Sequence, residues 1–130
     1  MMRPAGFSTV TPYIFVDGAA GFIDFLKGGF GAIEQGRHSA PDGRIANAIL
    51  RIGECSFMVS DANTDFPAMP AAYYLYVDDA DVAMAKAVNE GATPVMDVGD
   101  MPYGDRQGGV RDPYGNLWWI SQRLVDEPYY

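Results

Sequence analysis

The side chains of this chain that could take part in chemistry are few and widely separated. There is one histidine, His38, in a stretch flanked by Pro and Gly, and one cysteine, Cys55, at the start of a predicted strand. Neither belongs to a His-x-x-x-His or Cys-x-x-Cys pattern, so no transition-metal site is expected. We predict that His38 is a solvated loop residue. Cys55, which lacks an activating histidine, is predicted to be a buried structural thiol.

The charged residues suggest capping and pairing more readily than acid–base catalysis. Three aspartates between 78 and 81 stand where a helix should begin, a position that suits carboxylates. Arg106 could grip a ligand carboxylate or phosphate, or could pair with Asp105 or Asp112. Neither G-x-G-x-x-G nor the P-loop pattern occurs, so no cofactor is predicted.

Hydrophobic periodicity predicts the elements that must position these residues. In the first half it predicts a strand over 11–16, a helix capped by Asp17 and ended by Gly28-Gly29, a short strand over 32–36, a loop over 37–43, and a hairpin of 44–52 and 55–60. In the second half it predicts a strand over 72–77, a helix over 78–90 ended by Gly91, a strand over 93–98, and a hairpin of strands ending at 111 and starting at 117 across Asp112–Asn116.

The two halves repeat each other. Residues 13–19 (YIFVDGA) match 74–80 (YLYVDDA), and residues 58–60 (MVS) match 119–121 (WIS) at the same offset. Each half reads strand, helix, strand, strand, strand. The sequence therefore predicts an α+β fold of two tandem βαβββ modules.

Four motifs follow one another along these modules: T-P-Y at 11–13, G-R-I-A-N-A-I-L-R-I-G at 43–53, Y-G-D-R at 103–106 and D-P-Y-G-N-L-W at 112–118. With the duplicated modules, they resemble the vicinal oxygen chelate superfamily of glyoxalases, bleomycin resistance proteins and dioxygenases. The similarity is closest to small bacterial glyoxalase-like proteins. It implies one domain over 1–130, with module one at about 9–61, a connector at 62–70, module two at about 71–122 and a C-terminal tail at 123–130.

Strand alternation sorts the strand residues onto two faces. An aliphatic and aromatic set should pack beneath the helices: Ile14, Val16, Phe57, Val59, Tyr73, Leu75, Val77, Trp118 and Ile120. The alternate set combines apolar bodies with hydroxyls: Thr11, Tyr13, Phe15, Ser56, Met58, Ser60, Ala72, Tyr74, Tyr76, Leu117, Trp119 and Ser121. Such a face suits a small-molecule pocket, although a second core or a dimer interface is the alternative.

We predict ligand binding by eight residues: Tyr13, Phe15, Asn47, Met58, Tyr74, Tyr76, Arg106 and Trp119. Asn47 could orient a polar group of the ligand or simply make a hydrogen bond at the sheet edge. No catalytic residue is predicted.

The resemblance also implies four metal-ligand positions, which fall on Thr11, Met58, Ala72 and Trp119. Metal-using members carry His, Glu or Gln there. Ala has no donor atom, Trp offers only an N–H, and the Met thioether is soft. We therefore predict no metal at these positions, which argues against glyoxalase, dioxygenase and thiol-transferase chemistry.

Composition bounds the partners. A net charge of −8 argues against nucleic acid and weakly favours cationic or neutral ligands. The single cysteine, the lack of a long apolar run and the lack of a signal pattern predict a cytoplasmic protein that does not enter membranes. A homodimer is implied by the resemblance alone.

Three functions fit the sequence. The first is metal-independent binding of a small, partly aromatic ligand, of the drug-binding or antibiotic-resistance type seen in bleomycin resistance proteins. The second is a glyoxalase-like lyase or isomerase, or a dioxygenase, that uses atypical residues or an unidentified metal site. The third is an interaction protein whose cleft is closed by its own side chains. Whether the chain is an enzyme stays open at this point.

Overall fold

A computed structural model describes residues 1–130 as two compact units, the first unit (1–70) and the second unit (71–130). The elements are β1 (Tyr13–Val16), α1 (Ala19–Phe30), β2 (Ile33–Ser39), β3 (Ile45–Ile52), β4 (Cys55–Asp61), β5 (Ala72–Tyr76), α2 (Ala80–Asn89), β6 (Thr93–Asp100), β7 (Asp105–Arg111) and β8 (Leu117–Arg123). Each unit runs strand, helix, strand, strand, strand, so the predicted α+β fold is confirmed. Neither helix is long and apolar enough to span a membrane.

The first unit is a four-stranded sheet with the order β1-β4-β3-β2. β1 lies parallel to β4, with Tyr13 opposite Met58, and the other pairs are antiparallel. Helix α1 contacts all four strands and buries Phe22 and Leu26 completely. Each such side chain contributes about 2 kcal/mol through burial. The opposite sheet face carries Tyr13, which is 43% exposed.

The second unit repeats this plan with the order β5-β8-β7-β6 and a parallel β5–β8 pair. Two adjacent glycines of β7 allow close packing on both faces. A Cβ at Gly108 would lie 2.9 Å from the Met84 sulfur of α2, and one at Gly109 would lie 2.7 Å from the Trp119 ring. Larger residues would therefore push α2 or Trp119 away from the sheet.

The two helices are capped differently at their N-termini. Asp79 caps α2 by accepting a hydrogen bond from the Val82 N–H at 3.1 Å. The prediction that Asp17 caps α1 is wrong. The cap residue is Gly18, whose φ of 85° is left-handed and which has no side chain that could accept a hydrogen bond from the helix. The free Ala19 N–H is instead bound by Asp61 Oδ1 of β4 at 2.8 Å.

Helix α1 also runs further than predicted. It continues through Gly28-Gly29 to Phe30 and ends at Gly31, whose φ of 70° is left-handed. Gly29 is buried, so packing against the sheet outweighs the low helix propensity of glycine.

Three other local predictions are wrong. His38 is exposed, as predicted, but it lies on β2 opposite Asn47 and not in a loop, because the β2–β3 pairing extends into the predicted loop as far as Ser39. Cys55 is exposed, since it begins β4 directly after the turn. Thr11 precedes β1, and its hydroxyl donates to the Ser8 carbonyl.

Asp61→Ala should destabilise the first unit, because its carboxylate accepts from both the Ala19 and Ile45 N–H groups, the latter at 2.7 Å. Loss of two such bonds should lower the free energy of unfolding by about 2–3 kcal/mol in urea denaturation. Asp17→Ala is the matched control and should change it by less than about 0.5 kcal/mol. Equal effects of the two substitutions would contradict this account of the helix start.

Candidate functional site

The first unit contains an open cavity of about 390 Å³, here called the aromatic cleft. Its walls come from β1, the loop before β3, the start of β3, the end of β4 and the connector that follows β4. The residues that matter for its chemistry are Tyr13, Phe15, Asp42, Arg44, Asn63 and Phe66. A volume of this size suits a small organic molecule.

Three aromatic rings form one wall of the aromatic cleft. Tyr13 and Phe15 stand two residues apart on β1, so they share a face, and their ring centroids are 4.8 Å apart. Phe66 stacks on Phe15 at 5.5 Å with only 15° between the ring planes. Tyr13 and Phe66 are 43% and 53% exposed, so the wall is accessible to solvent.

The position of Phe66 is fixed by its own loop. Asn63 Oδ1 accepts from the N–H groups of Asp65 and Phe66 at 2.9 and 2.8 Å, which makes a local turn. The Met69 N–H donates to the Phe15 carbonyl at 3.1 Å and ties the same loop to β1. The third ring is therefore held beside the first two by hydrogen bonds from the backbone to the Asn63 side chain and to the Phe15 carbonyl.

The polar groups of the aromatic cleft differ in availability. Both oxygens of Asp61 are used by the backbone, so this carboxylate supports the fold. Asp42 uses one oxygen to accept from the Arg44 N–H at 3.0 Å. The Arg44 guanidinium makes no hydrogen bond or ion pair within the chain. One guanidinium and one carboxylate oxygen are thus free to meet a ligand.

The second unit contains a different constellation, here called the Asp105 cluster. Asp105 is fully buried, and its Oδ2 accepts from the hydroxyls of Tyr74, Tyr129 and Ser121 at 2.5, 2.7 and 2.9 Å. Its Oδ1 accepts from Arg123 Nη1 at 2.8 Å. A buried charge with four donors is paired and satisfied, as burial requires.

The pKa values in the Asp105 cluster follow from these contacts. Burial opposes ionisation of Asp105, but the donors, led by Tyr129, Tyr74 and Arg123, outweigh it and hold its pKa well below the ordinary value. Burial raises the pKa of Tyr74, and its bond to Asp105 adds to the rise. The cluster therefore presents an ionised carboxylate surrounded by neutral phenols at physiological pH.

The predicted site residues fall in both units. Tyr13 and Phe15 line the aromatic cleft. Asn47 donates to the Tyr13 hydroxyl at a long 3.4 Å, and Met58 pairs opposite Tyr13 without lining the aromatic cleft. In the second unit, Tyr74 and Tyr76 are exposed neighbours with ring centroids 5.2 Å apart, and Trp119 pairs opposite Tyr74.

Arg106 does not pair with Asp105 or Asp112, so both predicted partners are wrong. Its Nε bonds Asp81 at 2.9 Å and its Nη1 bonds Asp100 at 2.9 Å. Asp105 and Asp112 point inward and are used by other groups: Asp112, for example, accepts from the Trp118 indole N–H at 2.8 Å.

Sequence reasoning missed Phe66, Arg44, Arg123 and Tyr129. Phe66 is the single aromatic residue of a Pro-containing connector, which is the one local signal that could have drawn attention to it. Tyr129 has no such signal, because its partner Asp105 is distant in sequence.

The four residues at the implied metal-ligand positions do not fit a divalent ion. The Thr11 hydroxyl donates to the Ser8 carbonyl, Ala72 has no donor, and the Trp119 ring covers Gly109. The structure has no group of three or more His, Cys, Asp or Glu side chains arranged to hold a metal. We derive no metal-assisted step at these positions.

The duplicated βαβββ units define a fold class, and comparison with known families agrees with it. The model of the Glyoxalase/Bleomycin resistance protein/Dioxygenase superfamily matches residues 6–120, and the chain belongs to this family.

One relative and two solved structures illustrate the similarity. The uncharacterized protein Mb0911c of Mycobacterium bovis is 36% identical over 124 residues, which cover 87% of this chain and 82% of the relative. The crystal structure of TioX from Micromonospora sp. ML1 has a TM-score of 0.76 at 26% identity, covering 90% of this chain and 99% of TioX. TnmS3, an antibiotic binding protein from Streptomyces sp. CB03234, has a TM-score of 0.69 at 19% identity, covering 94% and 97%, and so shares the fold.

Asp105→Asn should lower the free energy of unfolding by about 2–3 kcal/mol near neutral pH, because hydrogen bonds to a buried charge are lost. The folded pKa is depressed, so the contribution is complete above the ordinary pKa and is lost as the pH falls through the folded value. The difference between wild type and variant should therefore shrink below about pH 4 in urea titrations.

Asp81→Asn is the control for this measurement. Asp81 bonds Arg106 but its side chain is 59% exposed and screened by solvent, so the substitution should lower the free energy of unfolding much less than Asp105→Asn does. A difference between wild type and Asp105→Asn that stays constant with pH would contradict the assignment of the stabilising charge to Asp105.

Proposed function

We propose that this protein binds a small, partly aromatic molecule in the aromatic cleft without the help of a metal. The observation that carries the proposal is the solvent-accessible wall of Tyr13, Phe15 and Phe66 along a cavity of about 390 Å³. Exposed rings that are held in place by backbone hydrogen bonds offer a planar ligand a stacking surface at little cost in ordering.

The charges of the chain support a particular class of ligand. The net charge of −8 attracts cations toward the surface. Within the aromatic cleft, the free oxygen of Asp42 can meet a cationic group and Arg44 can meet an acceptor. A ligand with a planar aromatic ring, a basic substituent and one hydrogen-bond acceptor can stack on the aromatic wall, pair with Asp42 and accept from Arg44.

The fold supports the same class of function. TnmS3, which shares this fold, is an antibiotic binding protein. We infer drug binding, and with it a role in antibiotic resistance, for this chain on the chemistry of the aromatic cleft. The homodimeric state and the cytoplasmic location are parts of the same proposal.

The alternative, a glyoxalase-like lyase, isomerase or dioxygenase, is less well supported. A carboxyl group that acts as a general acid or base at neutral pH is most effective when its pKa is raised. The pKa values of Glu34, Asp81 and Asp105 are all lowered. Of the two carboxylates that line the aromatic cleft, Asp61 accepts backbone hydrogen bonds with both oxygens and Asp42 accepts one from the Arg44 N–H. They do not hydrogen-bond to each other as a catalytic pair would.

Phe66→Ala should weaken binding of proflavine, a planar aromatic cation, by about 3–10-fold, because one stacking partner is lost. Fluorescence titration measures the change. Ile33→Ala is the matched control, since Ile33 is also 53% exposed and lies in the first unit on β2, outside the aromatic cleft. Equal loss with both variants, or preference for the anion fluorescein over proflavine, would count against the proposal.

Removal of metals should leave this binding unchanged. Protein dialysed against EDTA should bind proflavine as tightly as untreated protein, because Thr11, Met58, Ala72 and Trp119 supply no ligand set. Metal analysis and titration before and after dialysis check this. Binding that disappears with EDTA and returns with nickel, zinc or manganese would overturn the metal-independent proposal.

A further inference from the structure

Both the hydroxyl and the aromatic ring of Tyr129 contact other residues of the second unit. Its hydroxyl donates to Asp105 Oδ2 at 2.7 Å and accepts from the Tyr76 hydroxyl at 2.7 Å. The Arg123 guanidinium carbon lies 4.2 Å from its ring centroid, a cation–π contact. Tyr103 approaches the ring edge-on at 6.5 Å. The second unit thus already holds a phenol.

The groups that hold this phenol are fixed independently of it. Asp105 is fully buried and keeps the hydrogen bonds from Tyr74, Ser121 and Arg123 when Tyr129 is set aside. Arg123 also donates to the Tyr103 carbonyl at 2.6 Å. An acceptor oxygen and a cation therefore keep their places for any ring that enters.

The occupant itself is held by a segment with little other structure. Residues 124–130 form neither helix nor strand, and every one of them is exposed. The other hydrogen bonds of this segment join the Leu124 N–H to the Gly104 carbonyl and Arg123 Nη2 to the Glu127 carbonyl, and the Val125 side chain lies beside Gly104. Segments with few buried contacts open at low free-energy cost, so Tyr129 can be displaced.

We propose that Asp105, Tyr76 and Arg123 form a binding site for the uncharged aryl hydroxyl of a small molecule, which enters by displacing Tyr129. A phenol can donate a hydrogen bond to Asp105, accept one from Tyr76 and place its ring face against the Arg123 guanidinium, as Tyr129 does. A phenolate would bring a second negative charge against the Asp105 carboxylate. All three residues belong to the second unit, so this site is independent of the function proposed for the aromatic cleft.

The full-length Tyr129→Ala variant tests this site with 4-methylphenol, the free form of the tyrosine side chain. The variant should bind 4-methylphenol at least about tenfold more tightly than the wild type does, because Tyr129 competes for the site in the wild type. NMR titration measures both affinities. The affinity of the variant for 4-methylphenol should also exceed its affinity for toluene by about tenfold, because toluene cannot donate to the charged acceptor. Equal binding of the two probes, equal binding by the two proteins, or no binding would overturn the proposal.

A second measurement uses the wild-type chain, so it does not depend on the variant folding. Tyrosine labelled with ¹³C at Cζ gives one signal per tyrosine, and Tyr129→Phe assigns that of Tyr129. Saturating 4-methylphenol should move this signal to the position of an exposed tyrosine. A signal that stays in place while 4-methylphenol binds elsewhere would overturn the proposal.

Ionisation of the probe tests the role of Asp105. At mildly alkaline pH, 4-nitrophenol is largely ionised whereas 4-methylphenol is not. Tyr129→Ala should therefore bind 4-methylphenol more tightly than 4-nitrophenol at this pH, and the preference should diminish under acidic conditions where both are neutral. Equal or stronger binding of the phenolate at alkaline pH would show that Asp105 is not the acceptor.

Discussion

In each unit the first strand lies parallel to the last, and this pairing determines which side chains the sheet presents. It sets Tyr13 opposite Met58 in one unit and Tyr74 opposite Trp119 in the other. The same pairing brings a side chain from the last strand to the start of the helix. Asp61 binds the Ala19 N–H, and Gln122 binds the Ala80 N–H at 3.0 Å. Helix, first strand and last strand are thereby fixed together in both units.

On this shared frame the two units present different chemistry. The first unit has a connector that returns over β1 and adds Phe66 to the rings of Tyr13 and Phe15, leaving an open aromatic wall. The second unit has a buried carboxylate, Asp105, whose donors draw the exposed tyrosines and the segment after β8 together. Duplication preserved the backbone arrangement, while the residues on the accessible face diverged.

The repeat, the succession of helix and strands along each half and the sorting of strand residues onto two faces could be predicted from the sequence, because they follow from sequence similarity between the halves and from local periodicity. Ile14 and Val16 are buried and Tyr13 is exposed, as the alternation predicts. The sequence was insufficient where a contact depends on distant residues. The pairing of Arg106 with Asp81 is an example, since Asp81 lies 25 residues away on α2 whereas the predicted partners were near in sequence. Likewise, Asp61 stabilises the start of α1 in place of the adjacent Asp17.

Strand β2 is the outer strand of its sheet, and its composition bears on how copies of the chain can meet. Its residues are almost all exposed, and Glu34 bonds both Lys27 and Arg37 at 2.9 and 2.6 Å. Register shifts interrupt its pairing with β3 between Glu34 and Gly36 and between His38 and Ser39. Charge and irregularity of this kind oppose the addition of another extended strand. A continuous intermolecular sheet across β2, and aggregation by that route, is therefore disfavoured.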